Sequence, residues 1–358
     1  MSKSCAAVVF FALASACLGQ QLTVQTMIAT NITSTGATLN GYYAPAAATQ
    51  SCQFNVEAGG GVSKAVPATS LTPVASSNLA VFSAQIIGLN PGQSVGYYAA
   101  CGGNTAPQSA AFITPAMIAP EFSVNSILAA AAPARSGISP GELVTIGGQY
   151  LATTTATASA AANLPSSLAG TSVTFAGMPG AILSAAPGTI TVQAPFTLSP
   201  GSYAPVVVAV DYGNGQILSS TVMVTVQSSN IGVFGYTDIS GITDLSQPNQ
   251  VLHPTSCGWC MTVWSTGNGP VTGWSSTGYP APVNPLASST IPPTATVVTG
   301  NGALSAQVLW SVLAPGQVGV WQTNIKLPPG IPTGTPVFVQ LSLPDGDSVS
   351  VSITIATQ

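Results

Sequence analysis

The side chains that carry acid–base, metal and phosphoryl chemistry are scarce in this chain. Its 358 residues include eight Asp plus Glu, four Lys plus Arg and one His, and charged residues make up 3% of the total. An average soluble domain has ~25%. The densest chemical motif is Cys257-Gly258-Trp259-Cys260. A C-x-x-C pair supports thiol–disulfide exchange when its first Cys sits at a helix N-terminus, where the dipole lowers the thiol pKa. Here the next residues, Met261-Thr262-Val263-Trp264, read as a strand. The pair is therefore expected to clip a tight turn as a disulfide, and a thiol–disulfide oxidoreductase through Cys257 and Cys260 is the disfavoured alternative. A zinc site fails because the other Cys residues are distant and His253 stands alone. His253, in Leu252-His253-Pro254, reads as an exposed loop residue, and no G-x-S-x-G elbow offers it a nucleophile. Asp345-Gly346-Asp347 and Asp211-Tyr212-Gly213-Asn214 carry oxygens of the kind calcium takes. Both fall at the same hairpin position, and turn chemistry accounts for them. No catalytic residue, metal or cofactor is expected. A net charge of −4 with four cations leaves no basic patch, which excludes a nucleic-acid partner.

Binding is the remaining chemistry, and aromatic residues mark where it would sit. All five Trp (259, 264, 274, 310 and 321) lie in the last third of the chain. Trp259, Trp274 and Tyr279 fall in Gly-, Ser-, Thr- and Pro-rich loops, where an exposed aromatic platform would stack sugars or dock a protein. They are the candidate ligand-binding residues. Trp264, Trp310 and Trp321 are expected to fill a core.

The elements that must hold these loops are strands. Thr221–Val226 and Ser350–Ile355 alternate polar and apolar side chains, the period of a half-buried strand. Gly213-Asn214-Gly215 and Asp345-Gly346 supply hairpin turns. Helix-friendly sequence is confined to the N-terminal apolar run and Ile127–Ala134, so the fold is expected to be all-β. Met1–Lys3, the apolar run Ala6–Ala16 and Ala14-Ser15-Ala16 have the layout of a secretory signal peptide over residues 1–19, cleaved after Ala16 or Gly19. Ala14-Ser15-Ala16-Cys17 also resembles a lipobox, with Ala14 where Leu is usual, so a lipid anchor at Cys17 is the alternative. No later apolar run is long enough for a transmembrane helix. With Cys5 and Cys17 set aside, four Cys remain. Export favours disulfides, with three connectivities open; proximity favours Cys257–Cys260.

Three segments follow the signal: 22–115, 122–228 and 232–358. In the first, Ile32-Thr33-Ser34-Thr35-Gly36-Ala37-Thr38-Leu39 and Gly88-Leu89-Asn90-Pro91-Gly92-Gln93 before Val95-Gly96-Tyr97-Tyr98 resemble a fibronectin type III domain, with Val95 in place of the corner tyrosine. The resemblance implies that Cys52 lies on the third strand and Cys101 on the sixth, neighbours in one sheet. The other segments read as a repeat. Ser139–Gly148 aligns with Ser256–Ser265, and Thr191–Phe196 with Val320–Ile325. Pro140-Gly141-Glu142-Leu143-Val144-Thr145-Ile146, Leu168–Phe175, Val192–Phe196, Ser265–Val271 and Leu313–Asn324 are similar to the Solibacter-type C-terminal domain of secreted acidobacterial proteins, over about Phe122 to Gln358. That resemblance implies tandem immunoglobulin-like (IPT/TIG-like) sandwiches in an exported protein, with no catalytic residues to carry over. The expected fold is three tandem immunoglobulin-like or fibronectin III-like β-sandwiches. The expected role is a non-catalytic adhesion or scaffold module, secreted or in a bacterial envelope, meeting a protein or glycan at the cell surface. A carbohydrate-binding protein using the aromatic loops is the rival.

Non-reducing peptide mapping should recover Cys52–Cys101 and Cys257–Cys260 as the two linkages. A crossed link such as Cys52–Cys257 would contradict the division into segments.

Overall fold

The computed structural model describes residues 23–44, 51–58, 63–69, 72–75, 77–213 and 216–357. The signal segment with Cys5 and Cys17, Leu22, and the hairpin tip Asn214-Gly215 lie outside the described residues. The described chain is all-β, built of antiparallel sheets, and it contains no helix. It divides into two compact units, Met1–Met117 and Ile118–Gln358.

In the first unit one sheet runs Thr23–Thr30, Gly36–Ala44, Ala80–Ile87 and Thr72–Pro73. The other runs Ser63–Pro67, Cys52–Ala58, Ser94–Cys101 and Asn104–Thr105, with Ala110–Ile113 also on Ser94–Cys101. This is the strand order of a fibronectin III-like sandwich. Ser94–Cys101 alternates exposed or half-buried residues with buried Val95, Tyr97, Ala99 and Cys101, so one face of the strand makes core. Register places Cys52 directly opposite Cys101, and the two are disulfide-bonded. The Phe54 ring packs 5.2 Å from Phe82 and 6.1 Å from Tyr97 between the sheets. Val95, fully buried, leaves the usual corner tie unmade. Tyr97, two residues on, makes a different one: its hydroxyl donates to the Met27 carbonyl at 2.6 Å. Burial pushes that hydroxyl's pKa up to about 12.

The second unit holds two sandwiches. In one, the sheet Glu121–Ala129, Leu143–Gln149, Thr189–Gln193, Ala181–Ala186 and Ala156–Thr157 faces the sheet Ser167–Leu168, Thr171–Phe175, Tyr203–Asp211 and Ile217–Thr225. Their core includes Ile146, Phe175, Ile190, Val206 and Val208. In the other, pairing runs continuously through Gly232–Asp238, Cys260–Thr266, Trp321–Lys326, Gly302–Leu313, Thr294–Thr299, Pro336–Ser342 and Ser348–Thr354. The long strand Gly302–Leu313 joins the layers. Its first part pairs with Thr294–Thr299 and its second with Trp321–Lys326, the register breaking between Val308 and Trp310. Such a bulge bends a strand and increases its twist. Met261, Val263, Val297, Val339 and Ile353 lie in this core.

The two sandwiches run their strands in the same order, and the register departs from the sequence alignment of the two segments. Leu143 pairs with Gln193, whereas Cys260, its aligned counterpart, pairs with Lys326 rather than with Gln322. The slide is an even number of residues, so the same faces stay inward. That is why alternation alone conceals it.

Replacing Tyr97 by Phe removes the hydroxyl and its hydrogen bond to the Met27 carbonyl. The first unit should lose ~1–2 kcal/mol in urea unfolding at neutral pH, and no measurable change would show that the tie contributes nothing.

Candidate functional site

The motif Pro140-Gly141-Glu142-Leu143 turns the chain into the strand Leu143–Gln149, and it does so at the seam between the two sandwiches of the second unit. Gly141 has φ +75, and a Cβ there would lie 2.0 Å from the Phe196 ring, so no other residue fits. Glu142 is wholly buried. One carboxyl oxygen accepts the Ser139 N–H at 2.6 Å and contacts the Ser139 hydroxyl at 3.1 Å. The other accepts the Asn230 side-chain amide at 2.9 Å, and that amide also reaches the Gly137 carbonyl at 3.3 Å. Burial drives the Glu142 pKa well above the ordinary carboxylate range; the Ser139 and Asn230 hydrogen bonds oppose the rise, and the nearby Asp347 charge adds to it.

Around this acid the sandwiches exchange hydrogen bonds. The Leu143 N–H donates to the Thr266 hydroxyl at 2.8 Å, and that hydroxyl donates to the Gly319 carbonyl at 2.9 Å. The Gln193 amide donates to the Gly141 carbonyl at 3.1 Å and accepts the Gly278 N–H at 2.7 Å. Gly267, with φ +76, would bring a Cβ within 2.2 Å of the Asn230 carbonyl. Arg135 pairs with Asp347, whose second carboxyl oxygen accepts the Ile231 N–H at 2.6 Å. The Ser229 hydroxyl donates to Asp345 at 2.6 Å. The hairpin Asp345-Gly346-Asp347 therefore grips the linker 228–231 and the chain's one Arg. Turn chemistry alone is not the account of it.

Of the candidate aromatics, Trp274 is half-buried in a cluster with Phe196 of the preceding sandwich and with Ala281, Ala287, Leu313 and Trp321. The same loop is tied down where the Phe196 N–H donates to Thr277 at 3.2 Å and the Leu164 N–H to the Gly278 carbonyl at 2.7 Å. Tyr279 stands at its outer side, 51% exposed. Trp259 is half-buried against the other core, so it does not join Trp274 and Tyr279. Trp321 is buried as expected. Trp264 is half-buried and donates to Thr237 at 3.3 Å. Trp310, assigned to the core by its strand, is instead 47% exposed, because the bulge in Gly302–Leu313 turns it outward.

Cys257 and Cys260 are disulfide-bonded across a turn in which Thr255 and Gly258 exchange N–H···O bonds of 2.8 and 2.9 Å. Cys260 opens a strand, so no helix dipole acts on the pair. His253 is exposed. Asp238 and Asp244 serve their own turn. Asp238 accepts from the Ser240 hydroxyl at 2.6 Å and the Ile242 N–H at 3.1 Å, and Asp244 accepts from Ser246 and from Gln247 at 3.0 Å. Hydrogen bonds led by Ser246 hold the Asp244 pKa below its usual range. What the sequence reading missed is the junction of Glu142, Asn230, Thr266, Arg135 and Asp347. Its only sequence signal is a Glu between a turn glycine and an apolar strand, where a solvent-facing acid is the ordinary reading.

A raised folded pKa means that stability is fully present below the ordinary carboxylate pKa and falls as pH rises toward the folded value. Between those limits the folded state holds one proton more than the unfolded state. The second unit should then lose about 1.4 kcal/mol per pH unit. In Glu142→Gln that slope should vanish, so the gap to wild type narrows as pH rises. Equal slopes in wild type and variant would show that Glu142 is already ionised. At the same junction, Trp274→Ala should lower stability clearly, while Tyr279→Ala stays within ~0.5 kcal/mol of wild type.

No protein-family model matches the sequence, and no curated protein does. Among solved structures, the chain is similar to the sensor domain of the anti-sigma factor RsgI4 of Pseudobacteroides cellulosolvens, with 17% identity, 29% of this chain and 99% of that one covered, and a TM-score of 0.24. A second similarity is to the cycloalternan-forming enzyme of Listeria monocytogenes, with 11% identity, 89% of this chain covered and a TM-score of 0.20. The match spans 18% of that enzyme's length. A third is to the tetra-tandem repeat in the extending region of a large adhesion protein, with 12% identity, 95% of this chain and 75% of that one covered, and a TM-score of 0.20.

Proposed function

We propose that this chain is an exported, non-catalytic β-sandwich protein that acts at a bacterial cell surface or envelope as an adhesion or scaffold module. Its last two sandwiches would be the Solibacter-type tandem that the motifs resemble. The observation that carries the reading is the employment of the acids. Glu142, Asp345 and Asp347 fasten one sandwich to the next, and Asp238 and Asp244 hold a turn. Side chains that an enzyme would spend on substrate are spent on joining and shaping the fold. Two disulfides favour an oxidising compartment, reached through the 1–19 signal, with lipidation at Cys17 as the variant of the same address. The glycan reading keeps one specific support, the exposed Tyr279 on a loop fixed at its base.

The test expresses the full chain in a diderm bacterium and follows its location and its binding. The expected outcome is a processed protein outside the cytoplasm that cosediments saturably with envelope fragments. Retention by insoluble polysaccharide alone, lost in Tyr279→Ala, would favour the glycan reading. Turnover in an insulin-reduction assay, abolished in Cys257→Ser, would overturn both.

A further inference from the structure

The two sandwiches of the second unit each end a sheet on an edge strand, Ile217–Thr225 in one and Ser348–Thr354 in the other. Along a strand the N–H and C=O of one residue face the same side, and the side alternates from residue to residue. The Thr354 carbonyl accepts the Leu252 N–H at 2.8 Å, so Ser348, Ser350 and Ser352 also turn their backbone groups away from the sheet. That edge is largely taken. Arg135 donates to the Ser348 carbonyl, and the Tyr236 hydroxyl donates to the Ser352 carbonyl at 2.6 Å.

The matching edge of the other sandwich is bare. The Thr225 carbonyl accepts the Ile138 N–H at 3.2 Å, and at the hairpin end the Tyr212 N–H donates to the Gln216 carbonyl at 2.9 Å. Counting by twos from either end turns the N–H and C=O of Ile217, Ser219, Thr221 and Met223 outward. Among the described residues no group bonds to them, and the strand pairs only with Tyr203–Asp211. Natural sheets blunt such an edge with Lys, Pro, a bulge or a covering segment. Ile217–Thr225 has no charged residue and no Pro, and its register runs unbroken over nine residues. Its inward side chains Leu218, Ser220 and Val222 are only half-buried, so the edge is open to solvent.

We propose that Ile217–Thr225 pairs antiparallel with the same strand of a second copy, about a two-fold axis at Ser220. That register opposes Ile217 to Met223 and Ser219 to Thr221, twice each, and every opposed pair exchanges two N–H···O=C bonds. The side chains agree with it. Ile217 and Met223, 59% and 53% exposed, meet as apolar pairs, and Ser219 meets Thr221 as a hydroxyl pair. The outward order apolar, hydroxyl, hydroxyl, apolar reads the same from both ends, as a self-complementary two-fold contact requires. A slip of two residues would set apolar against hydroxyl and lose the outer bonds. Asp211, opposite Ile217 in the hairpin, falls at opposite ends of the pair in the two copies, so no like charges are opposed. The inference goes beyond the adhesive reading and does not depend on it.

Sedimentation velocity of the full-length protein over a wide concentration range tests it, together with residue-resolved hydrogen exchange. A reversible monomer–dimer equilibrium is expected. The amides of Ser219, Thr221 and Met223 should exchange freely in dilute protein and gain protection on concentrating, while those of Leu218, Ser220 and Val222 stay protected throughout. Ser219→Lys with Thr221→Lys opposes lysines across the axis and should weaken association at least about tenfold (1.4 kcal/mol). Ser219→Lys with Thr221→Glu opposes Lys to Glu in this register and should restore it, both variants unfolding like wild type. A monomer at every concentration would overturn the proposal, and the wild-type measurement decides that without either variant. So would a dimer that the two lysines leave intact, or one that the Lys–Glu pair fails to restore. Protection of the outward amides that appears only on adding envelope fragments would assign the edge to another protein and equally overturn self-pairing. Cosedimentation of the two-lysine variant with those fragments reads the adhesive function separately.

Discussion

A carboxyl group taken out of water between two protein layers constrains everything around it. It must keep its proton or be surrounded by donors, and it holds those donors in place. Glu142 is in that position, with Ser139 on its own sandwich and Asn230 on the linker. The constraint explains why the linker residues Ser229, Asn230 and Ile231 are withdrawn from solvent and hydrogen-bonded. It also explains why the surrounding loops are glycine-rich. Gly141 and Gly267 bring backbone against Phe196 and Asn230 at separations that no Cβ allows.

On either side of the acid the seam is apolar. Phe196 meets Trp274 and Trp321, while Leu164 and Ala181 meet Val318. Aromatic burial of this kind supplies cohesion, and the hydrogen bonds between Leu143, Thr266 and Gly319 fix which surfaces meet. Of the five Trp of the last sandwich, Trp274 and Trp321 serve the joint. The two sandwiches accordingly fall within one compact unit, Ile118–Gln358.

Much of the architecture is legible in the residues because strands with one buried face write it as alternation. Ser94–Cys101 reads off directly, and the Cys52–Cys101 bond follows from the place that the fibronectin III resemblance gives its strands. The junction is not legible, because its chemistry is tertiary. Asp347 and Asp211 occupy matching hairpins, yet one pairs with Arg135 and the other accepts the N–H of Gly213 in its own turn at 2.7 Å. Nothing local distinguishes them. The four-residue slide in register and the outward turn of Trp310 escape for a related reason: both preserve the local pattern and change only what lies across from it.

The central claim is that the two sandwiches of Ile118–Gln358 are joined into one cooperative unit by the seam around Glu142. Native-state hydrogen exchange of the full chain tests it most directly, because it reports which strands open together. The amides of Tyr203–Asp211 in one core and Pro336–Ser342 in the other should exchange through a shared opening, their free energies agreeing within ~0.5 kcal/mol. Opening of one core at a free energy lower by more than ~2 kcal/mol, with the other still protected, would show two independent domains and contradict the account.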